Sequence, residues 1–528
     1  MTEEELQYPE YYEHYSKLID IQQKVSEFEF RKSVGKTIKE LMKEGRCIHR
    51  VHITRRERVY ERKESEDKDA IEEKFNITLE YNTRRKFPEN SLAVGSNVYL
   101  LADPSDNLHF KENIAPLTGL IVGLTNFSII VEILSSAHSL SFLHDDITIV
   151  LGSDHVTYPR QKKMLKYFCS TSYMGNGCIR EVIINTFHKR KSTLKKDAIK
   201  LDNFFFKKID ESKKEAVRSI MGNNDILLLH GPPGTGKTLT CAESICQTIY
   251  SNSNNKILVC CDSNEAVDNI LLKVSDILKK PADNIILRVG HPFKVQERTK
   301  EYTLIKKFNN HPLIKHFLKH ILYEESTYWN KEYKEKQKEY RKSCTTFGTN
   351  SENSEDLFNT YKNAQNNYFK IQKQIHGLRK IVIEEIYKNS RIYFCTNSVA
   401  AIPEIQSQVY DLVVIDEATQ TTEPSCIIPI CRANKLLLAG DHKQLPATVL
   451  IPKEDAEAEL VKELETSLFE KIIILNPEIP CLLAIQYRMN DTLLFFPNKK
   501  FYDGHLRSAE ENKDNHLNLF FDKDIVFI

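Results

Sequence analysis

Residues 224–242 read NDILLLHGPPGTGKTLTCA. The apolar run at residues 226–229 predicts a buried parallel strand, and the sequence from Leu239 onward has helical character. A glycine-rich turn between such a strand and helix lets successive backbone N–H groups face a polyphosphate at the helix N-terminus. The pattern therefore predicts a phosphate-binding loop made of Gly231, Pro232, Pro233, Gly234, Thr235, Gly236, Lys237 and Thr238.

Two residues at the end of this loop carry the chemistry that a bound nucleotide needs. Lys237 would reach the phosphates as a point charge, and Thr238 would offer its hydroxyl to Mg²⁺. The alternative is a glycine-rich turn that binds nothing. We expect nucleotide binding, because every motif position matches in a strand-then-helix setting.

Length, charge and cysteine usage bound the class of protein. A chain of 528 residues predicts three or four domains, and a net charge of +1 means that any nucleic-acid partner is bound through local chemistry. Twelve cysteines without a C-x-x-C pair indicate reduced thiols of an intracellular protein. The N-terminus is acidic and no apolar run reaches about eighteen residues, so we expect neither a signal peptide nor a membrane span.

The N-terminal part of the chain predicts helices around a small β domain. Helical spacing at residues 13–44 indicates one or two packed helices, and a helical stretch at 158–168 would return to them. Six short strand-like runs favour a small barrel. They lie at residues 47–53, 76–81, 97–101, 117–122, 128–133 and 147–151.

After the phosphate loop, strands and helices alternate. Further buried strands are predicted at residues 256–261, 391–394, 412–415 and 435–438. A helical excursion rich in Lys, Glu, Tyr and Asn is predicted as an insertion at about 301–388. Alternating strands and helices predict an α/β fold with a doubly wound parallel sheet.

Two of these strands end in groups suited to phosphoryl transfer. Asp416 and Glu417 follow the strand at 412–415, where Asp416 would hold Mg²⁺ and Glu417 would polarise the attacking water. Gln444 follows the strand at 435–438, and its amide can sense a γ-phosphate without a change of charge. Parallel strands present their carboxyl ends at one edge of a sheet, so we expect all three beside the phosphate loop.

Taken in order, these motifs resemble a known family. GPPGTGKT at residues 231–238, DEATQ at 416–420, GDHKQLP at 440–446 and QYRM at 486–489 are similar to the motifs of superfamily 1 helicases of the UPF type, in the branch of immunoglobulin mu-binding protein 2 and DNA polymerase alpha-associated helicase A. The resemblance runs from about residue 36 to the last residue. It implies a P-loop NTPase built on RecA-like parallel sheets, with ATP and Mg²⁺ as cofactors.

The resemblance also assigns roles to residues outside the phosphate loop. Tyr487 would stack on adenine, and Arg488 would reach the γ-phosphate as an arginine finger beside the catalytic Asp416, Glu417 and Gln444. One departure is Lys213, which stands where the family has a glutamine that contacts adenine.

Four polar residues at two strand ends are the implied contacts to nucleic acid. Ser263 and Asn264, with Thr396 and Asn397 at the next strand end, would bind the sugar-phosphate backbone of single-stranded DNA or RNA without reading bases. The alternative for Ser263 and Thr396 is helix capping. Asp262 replaces a proline of the relatives and would repel phosphate if it faced the strand.

The resemblance divides the chain into five parts. We expect N-terminal stalk helices at 1–46, a small β-barrel at 47–152, a returning stalk and linker at 153–200, a first RecA-like ATPase domain at 201–475 with the helical insertion, and the start of a second RecA-like domain at 476–528. Only about forty residues follow Met489, so this second domain is expected to be incomplete and to hold Arg488 poorly.

The function expected from these patterns is an ATP-dependent helicase that moves 5′ to 3′ on single-stranded DNA or RNA. The alternative is an ATP-gated or inactive nucleic-acid-binding module without a complete second motor domain. Replication, translation or RNA-processing proteins are the candidate protein partners, no membrane is involved, and the expected location is intracellular, in nucleus and cytoplasm.

Overall fold

The computed structural model describes residues 5–34, 37–62, 71–81, 86–88, 90, 92, 96–101, 117–124, 127–133, 146–152, 157–194, 197–207, 209–279, 282–290, 295–316, 323–347 and 352–513. None of the helices within these ranges is both long enough and apolar enough to cross a bilayer. All twelve cysteines are free thiols.

A seven-stranded parallel sheet forms the centre of the molecule, which confirms the predicted parallel sheet. Its order is β13-β7-β12-β11-β8-β10-β9. The strands are β7 (Ile226–His230), β8 (Ile257–Cys261), β9 (Ile286–Arg288), β10 (Ile392–Thr396), β11 (Leu412–Ile415), β12 (Leu436–Gly440) and β13 (Cys481–Leu482).

Both faces of this sheet are buried, because apolar residues occupy consecutive positions of its strands. In β7, Ile226 and Leu228 belong to one hydrophobic core, and Leu227 and Leu229 belong to the other. Successive side chains of a strand point to opposite faces, so a continuous apolar run needs cover on both. The second core is formed with α5 (Glu211–Met221), α6 (Lys237–Ser251) and α7 (Asn264–Leu278).

The face that carries the first core is covered by short helices and by the N-terminal part of the chain. They are α1 (Pro9–Val34), α3 (Thr157–Cys169), α4 (Gly177–Phe187), α12 (Pro403–Gln406), α13 (Glu423–Ile430), α14 (Asp455–Lys462) and α15 (Leu468–Leu475). Tyr11 and Tyr15 of α1 each donate a 2.6 Å hydrogen bond to the carboxylate of Glu423, which also pairs with Lys471 at 2.9 Å. This buried network fixes α1 against the sheet domain.

A closed six-stranded barrel precedes the sheet, as predicted. Its order is β1-β2-β5-β4-β3-β6, and β1 closes the barrel by pairing with β6. The strands are β1 (Cys47–Arg62), β2 (Ile71–Glu80), β3 (Asn97–Leu101), β4 (Leu117–Leu124), β5 (Ser128–Ile133) and β6 (Ile147–Leu151), and α2 (Ile38–Lys43) packs beside them. The first two strands are longer than predicted, because their pairing continues from His52 with Glu80 to Arg62 with Ile71.

Within the described residues, the predicted helical insertion contains one short helix, α9 (Leu304–Asn310), and two long helices, α10 (Tyr323–Phe347) and α11 (Glu352–Asn389). The short α8 (Ala282–Ile285) comes before β9 and belongs to the sheet domain. Tyr333 stacks on Tyr368, and Tyr340 stacks on Tyr361, each with 6.0 Å between ring centroids. The later residue of α10 stacks on the earlier residue of α11, so the two helices run antiparallel and form a hairpin.

The segment after residue 475 packs on the first sheet. Strand β13 pairs with β7, so the sheet takes a strand from beyond the boundary that we predict at 475. The remaining elements are β14 (Ile485–Gln486), α16 (Asp491–Phe501) and β15 (Arg507–Ser508), and Leu494, Tyr502 and Leu506 form a small cluster between them.

Candidate nucleotide-binding and catalytic site

The phosphate loop joins β7 to α6 with the backbone that its glycines allow. Gly234 and Gly236 have φ values of +75° and +84°, in the region that favours glycine. A Cβ at Gly234 would lie 2.5 Å from the Cβ of Arg488, so the loop is also closely approached from outside. Within the loop, the Thr235 hydroxyl donates to the Pro232 carbonyl at 2.7 Å. The loop therefore leaves its N–H groups at the start of α6 for an anion.

Lys237 is held by the two predicted acids. Its Nζ lies 2.8 Å from Glu417 Oε2 and 3.8 Å from Asp416 Oδ1. Burial alone would lower the pKa of Lys237, but Asp416 and Glu417 stabilise the ammonium and hold the pKa above its ordinary value. Lys237 is therefore a cation with anionic partners, and a nucleotide phosphate must compete with Glu417 for it.

The oxygen atoms around Asp416 suit a magnesium ion. Asp416 is only 2% exposed, and burial raises the pKa of its carboxyl, an effect that Lys237 partly offsets. Thr238, at the start of α6, lies close enough to the Asp416 carboxyl to lower its pKa. A carboxylate and a hydroxyl side by side at the phosphate loop are hard oxygen ligands of the kind that Mg²⁺ takes together with substrate phosphates.

Glu417 has an unusual backbone for a glutamate. Its φ is +53°, a left-handed conformation that costs energy for a residue with a Cβ. Its N–H donates to Asp416 Oδ1 at 2.9 Å, and its side chain is partly exposed at the edge of the sheet. The residue in this conformation is the one whose carboxylate contacts Lys237, at the end of the phosphate loop.

Asp441, to which the sequence analysis assigns no role, is the centre of a hydrogen-bond network beside the predicted site. It accepts hydrogen bonds from Gln444 at 2.8 Å and Tyr502 at 2.7 Å, and it lies 2.9 Å from His230 Nε2. Burial alone would raise the pKa of Asp441, but these bonds hold the pKa well below its ordinary value. His442 stands beside it, and burial lowers the pKa of His442 to about 4. The Gln444 side chain is therefore held by Asp441, on the segment whose Gly440 carbonyl accepts from the N–H of Gly231 in the phosphate loop.

The QYRM segment lies against the phosphate loop. The N–H of Tyr487 donates to the Gly234 carbonyl at 2.8 Å, and the N–H of Arg488 donates to Gln486 Oε1 at 2.8 Å. Gln486 also donates to Met489 O and Ser508 Oγ. These bonds hold the backbone of Arg488 beside the phosphate loop, whereas the expectation that its side chain is poorly held at a γ-phosphate stays a prediction.

The four residues predicted to bind nucleic acid lie at neighbouring strand ends, since Thr396 pairs with Cys261. Ser263 caps α7, accepting from Ala266 N at 3.1 Å, as the alternative proposed. Asn264 accepts from Arg288 at 2.9 Å. Thr396 ends β10, and the next short helix is preceded by Ser398, so the capping alternative is wrong for Thr396.

Asn397 requires a correction. Its side chain is fully buried and donates to Asp262 Oδ1 at 3.2 Å, and Ser425 donates to the same oxygen at 3.1 Å. In this conformation Asn397 presents no side-chain atom to a strand outside. The Asp262 carboxylate accepts both of these hydrogen bonds through Oδ1, so that oxygen has partners within the protein.

Comparison with known proteins adds sequence relatives to this geometry. An AAA domain model matches residues 208–452, and a second AAA domain model matches residues 464–527. An uncharacterized ATP-dependent helicase of Methanocaldococcus jannaschii is 34% identical over 387 residues, which are 70% of this chain and 55% of that protein.

Two further relatives carry names that match the expected branch. DNA polymerase alpha-associated DNA helicase A of Saccharomyces cerevisiae is 27% identical over 74% of this chain and 55% of that protein. DNA-binding protein SMUBP-2 of Rattus norvegicus is 26% identical over 91% of this chain and 44% of that protein. The chain thus spans about half the length of the curated relatives it matches. By its AAA domains and these relatives, the chain belongs to the UPF-type superfamily 1 helicases.

Proposed function

We propose that this protein is an ATP-dependent nucleic-acid helicase that couples ATP hydrolysis to 5′ to 3′ movement along single-stranded DNA or RNA. The observation that carries the proposal is the meeting of Lys237, Asp416 and Glu417 at the phosphate loop, with 2.8 Å between Lys237 and Glu417. Phosphoryl transfer to water uses a cation at the phosphates, a carboxylate that holds Mg²⁺ and a residue that orients the water. Lys237, the buried Asp416 and the partly exposed Glu417 can supply these three groups.

ATP binding begins with an exchange of partners at Lys237. The β- and γ-phosphates would take the ammonium group from Glu417, which then becomes free to orient water. Thr238 and Asp416 would hold Mg²⁺, which when bound neutralises charge on the phosphate oxygens. Glu417 accepts the proton of the attacking water as it adds to the γ-phosphorus, and the β-phosphate oxygen leaves with ADP.

Gln444 and Arg488 would link the chemistry to the rest of the molecule. Arg488 would place its guanidinium on the γ-phosphate, where charge develops as the bond to the leaving oxygen breaks. Gln444 would donate its amide to the γ-phosphate or to water, and its bond to Asp441 would change as the phosphate leaves. Tyr502 shares Asp441, so the segment after the QYRM motif would register that change.

Single-stranded nucleic acid is the proposed partner, bound at the ends of β8 and β10. Ser263, Asn264 and Thr396 offer polar groups there, and the N-terminus of α7 adds backbone donors for a phosphate. We expect sequence-tolerant binding whose log K falls by about 0.7 per neutralised phosphate for each tenfold rise in salt. Replication, translation or RNA-processing proteins stay candidate partners, and a nuclear and cytoplasmic location stays a prediction.

The central test is Glu417→Gln, which keeps the size of the side chain and removes its basic oxygen. We expect ATP turnover to fall by about 10²- to 10⁴-fold, the contribution of a general base. ATP affinity should stay the same or rise, because the competing Glu417–Lys237 ion pair is weakened. The assay is ATPase turnover with and without single-stranded DNA or RNA, beside strand displacement.

A surface glutamate provides the matched control for this test. Glu459→Gln changes an exposed residue of α14 and should leave turnover unchanged. ATP binding without stimulated turnover or unwinding by the unchanged chain would favour the ATP-gated binding module. Turnover that survives Glu417→Gln would remove Glu417 from the catalytic role.

Two substitutions of Ser263 separate its capping role from a nucleic-acid role. Ser263→Ala removes the bond to Ala266 N and should cost about 1 kcal/mol of unfolding free energy. Ser263→Asp keeps a good cap but adds a negative charge, so stability should be retained while affinity for single strands falls several-fold. Thermal unfolding and fluorescence anisotropy with a labelled oligonucleotide measure the two effects. Unchanged affinity in Ser263→Asp would place the strand elsewhere.

A further inference from the structure

Three side chains with metal-binding atoms meet where the strand that enters the phosphate loop pairs with the strand that leads to Gln444. His230 ends β7, and Asp441 and His442 directly follow β12, the neighbour of β7. His230 Nε2 lies 2.9 Å from Asp441 Oδ1, and the ring centroids of His230 and His442 are 4.8 Å apart. One ligand atom from each of the three residues lies within 4.8 Å of the other two. Strand pairing thus brings two imidazoles and a carboxylate together.

The two oxygens of Asp441 have different partners. Oδ2 accepts hydrogen bonds from Gln444 and Tyr502. Oδ1 faces His230 Nε2 and accepts from the backbone N–H of Lys443. The Asp441 carboxyl is ionised and can only accept, so His230 Nε2 carries the hydrogen of the bond between them. A metal ion that takes the place of this hydrogen would leave Oδ2 with both of its partners.

His442 has a ring nitrogen without a partner. Its Nδ1 is buried and makes no hydrogen bond within the part of the chain that the structure describes. Burial, together with the electrostatic effects of His230 and Lys443, lowers the pKa of His442 to about 4, so the ring is uncharged at neutral pH. An uncharged imidazole is the form that ligates metals. A buried nitrogen of this kind beside an ionised carboxylate favours a cation that takes nitrogen ligands.

We propose that His230, Asp441 and His442 bind a transition-metal ion such as Zn²⁺, at a site separate from the one that Asp416 and Thr238 offer to Mg²⁺. Two imidazoles and a carboxylate suit Zn²⁺, whereas Mg²⁺ takes oxygen ligands. Ligand atoms of Zn²⁺ lie about 2.0–2.2 Å from the ion, which separates them by about 3.3–3.5 Å in a tetrahedral site. The separations here, from 2.9 Å up to 4.8 Å, span that value, so small side-chain rotations would close the site.

The surroundings of the three side chains suit a bound metal. Gln444 and Tyr502 orient the Asp441 carboxylate through Oδ2, as the outer partners of metal ligands do. The Phe469 ring lies 6.5 Å from the His230 ring and 6.4 Å from the His442 ring, so one side of the group is apolar. The ion would tie the start of the phosphate loop to the segment that holds Gln444. This inference goes beyond the proposed function, because it requires no bound nucleotide.

Calorimetric titration of the full chain with ZnCl₂, without nucleotide and with excess Mg²⁺, tests the site. We expect one Zn²⁺ per chain that Mg²⁺ does not displace. Loss of an outer partner of a metal ligand costs about 10- to 100-fold in affinity, so His442→Ala, which removes a ligand, should weaken binding about tenfold or more. His188→Ala is the control, because His188 is an exposed histidine after α4, and it should leave the affinity unchanged. Thermal melting shows whether each variant is folded.

Cobalt absorption identifies the ligands in the unchanged protein, whether or not His442→Ala folds. Co²⁺ bound in place of Zn²⁺ should absorb in the visible range without a thiolate charge-transfer band, because the proposed ligands contain no sulfur. His442→Cys should add that band.

Five outcomes would overturn the proposal. A thiolate band in the unchanged protein would assign the ion to cysteines, and displacement by Mg²⁺ would assign it to Asp416. Unchanged Zn²⁺ affinity in folded His442→Ala, or an equal loss in His188→Ala, would exclude His442 as a specific ligand. Absence of Zn²⁺ and Co²⁺ binding would leave the three residues as a hydrogen-bond network only.

Discussion

Lys237→Ala is expected to remove nearly all nucleotide binding. Lys237 is the cation that the phosphate loop directs at the β- and γ-phosphates, and alanine leaves Asp416 and Glu417 without their neutralising partner. Loss of one member of a buried charge pair costs about 2–5 kcal/mol, which corresponds to a roughly 30- to several-thousandfold weaker complex. Two uncompensated carboxylates facing the triphosphate should place the result at the upper end of that range.

Nucleotide titration by calorimetry measures this effect. Lys273→Ala is the control, because Lys273 is an exposed lysine of α7 away from the loop, and it should not change ATP affinity. Circular dichroism melting of both variants shows whether each is folded. Equal ATP affinities in folded Lys237→Ala and the unchanged protein would exclude the loop as the nucleotide site.

The chemistry at the strand ends could be predicted because its signals are local. A buried apolar run followed at once by Asp416 and Glu417 needs no knowledge of distant contacts, and parallel topology then brings the pair to the loop. The six strands of the barrel follow from turn signals in the same way. The sequence of the β1–β2 extension is charged and gives no strand signal, whereas the two strands pair continuously from Arg55 with Thr78 to Arg62 with Ile71.

Other features depend on contacts between remote parts of the chain. The burial of Asn397 depends on Asp262, whose two partners lie 135 and 163 residues away along the chain. Asp441 likewise gains its importance from His230 and Tyr502, which come from opposite sides of it in sequence. Spacing and composition carry no information about such pairs. The contact between His230 and Asp441 forms because the sheet order places β7 beside β12.

Arg488→Ala is expected to leave ATP binding nearly intact and to lower ATP turnover by about 10³- to 10⁵-fold, the contribution of an arginine finger. The Arg488 backbone lies beside Gly234 of the phosphate loop and its side chain is exposed, so we expect the guanidinium to reach a γ-phosphate bound there. A positioned guanidinium needs little reorganisation when charge develops on the γ-phosphate. Single-turnover hydrolysis at saturating ATP isolates the chemical step.

A second exposed arginine of the same segment tests whether the position, and not the general charge, matters. Arg507→Ala removes one positive charge from β15, outside every motif of the site, and should leave turnover unchanged. Arg488→Lys keeps the charge but loses the planar two-pronged geometry, so it should recover only part of the rate. A fall confined to ATP affinity in Arg488→Ala would assign Arg488 to ground-state binding. Equal losses in Arg488→Ala and Arg507→Ala would show that both act through the overall field, and the finger role would then be wrong.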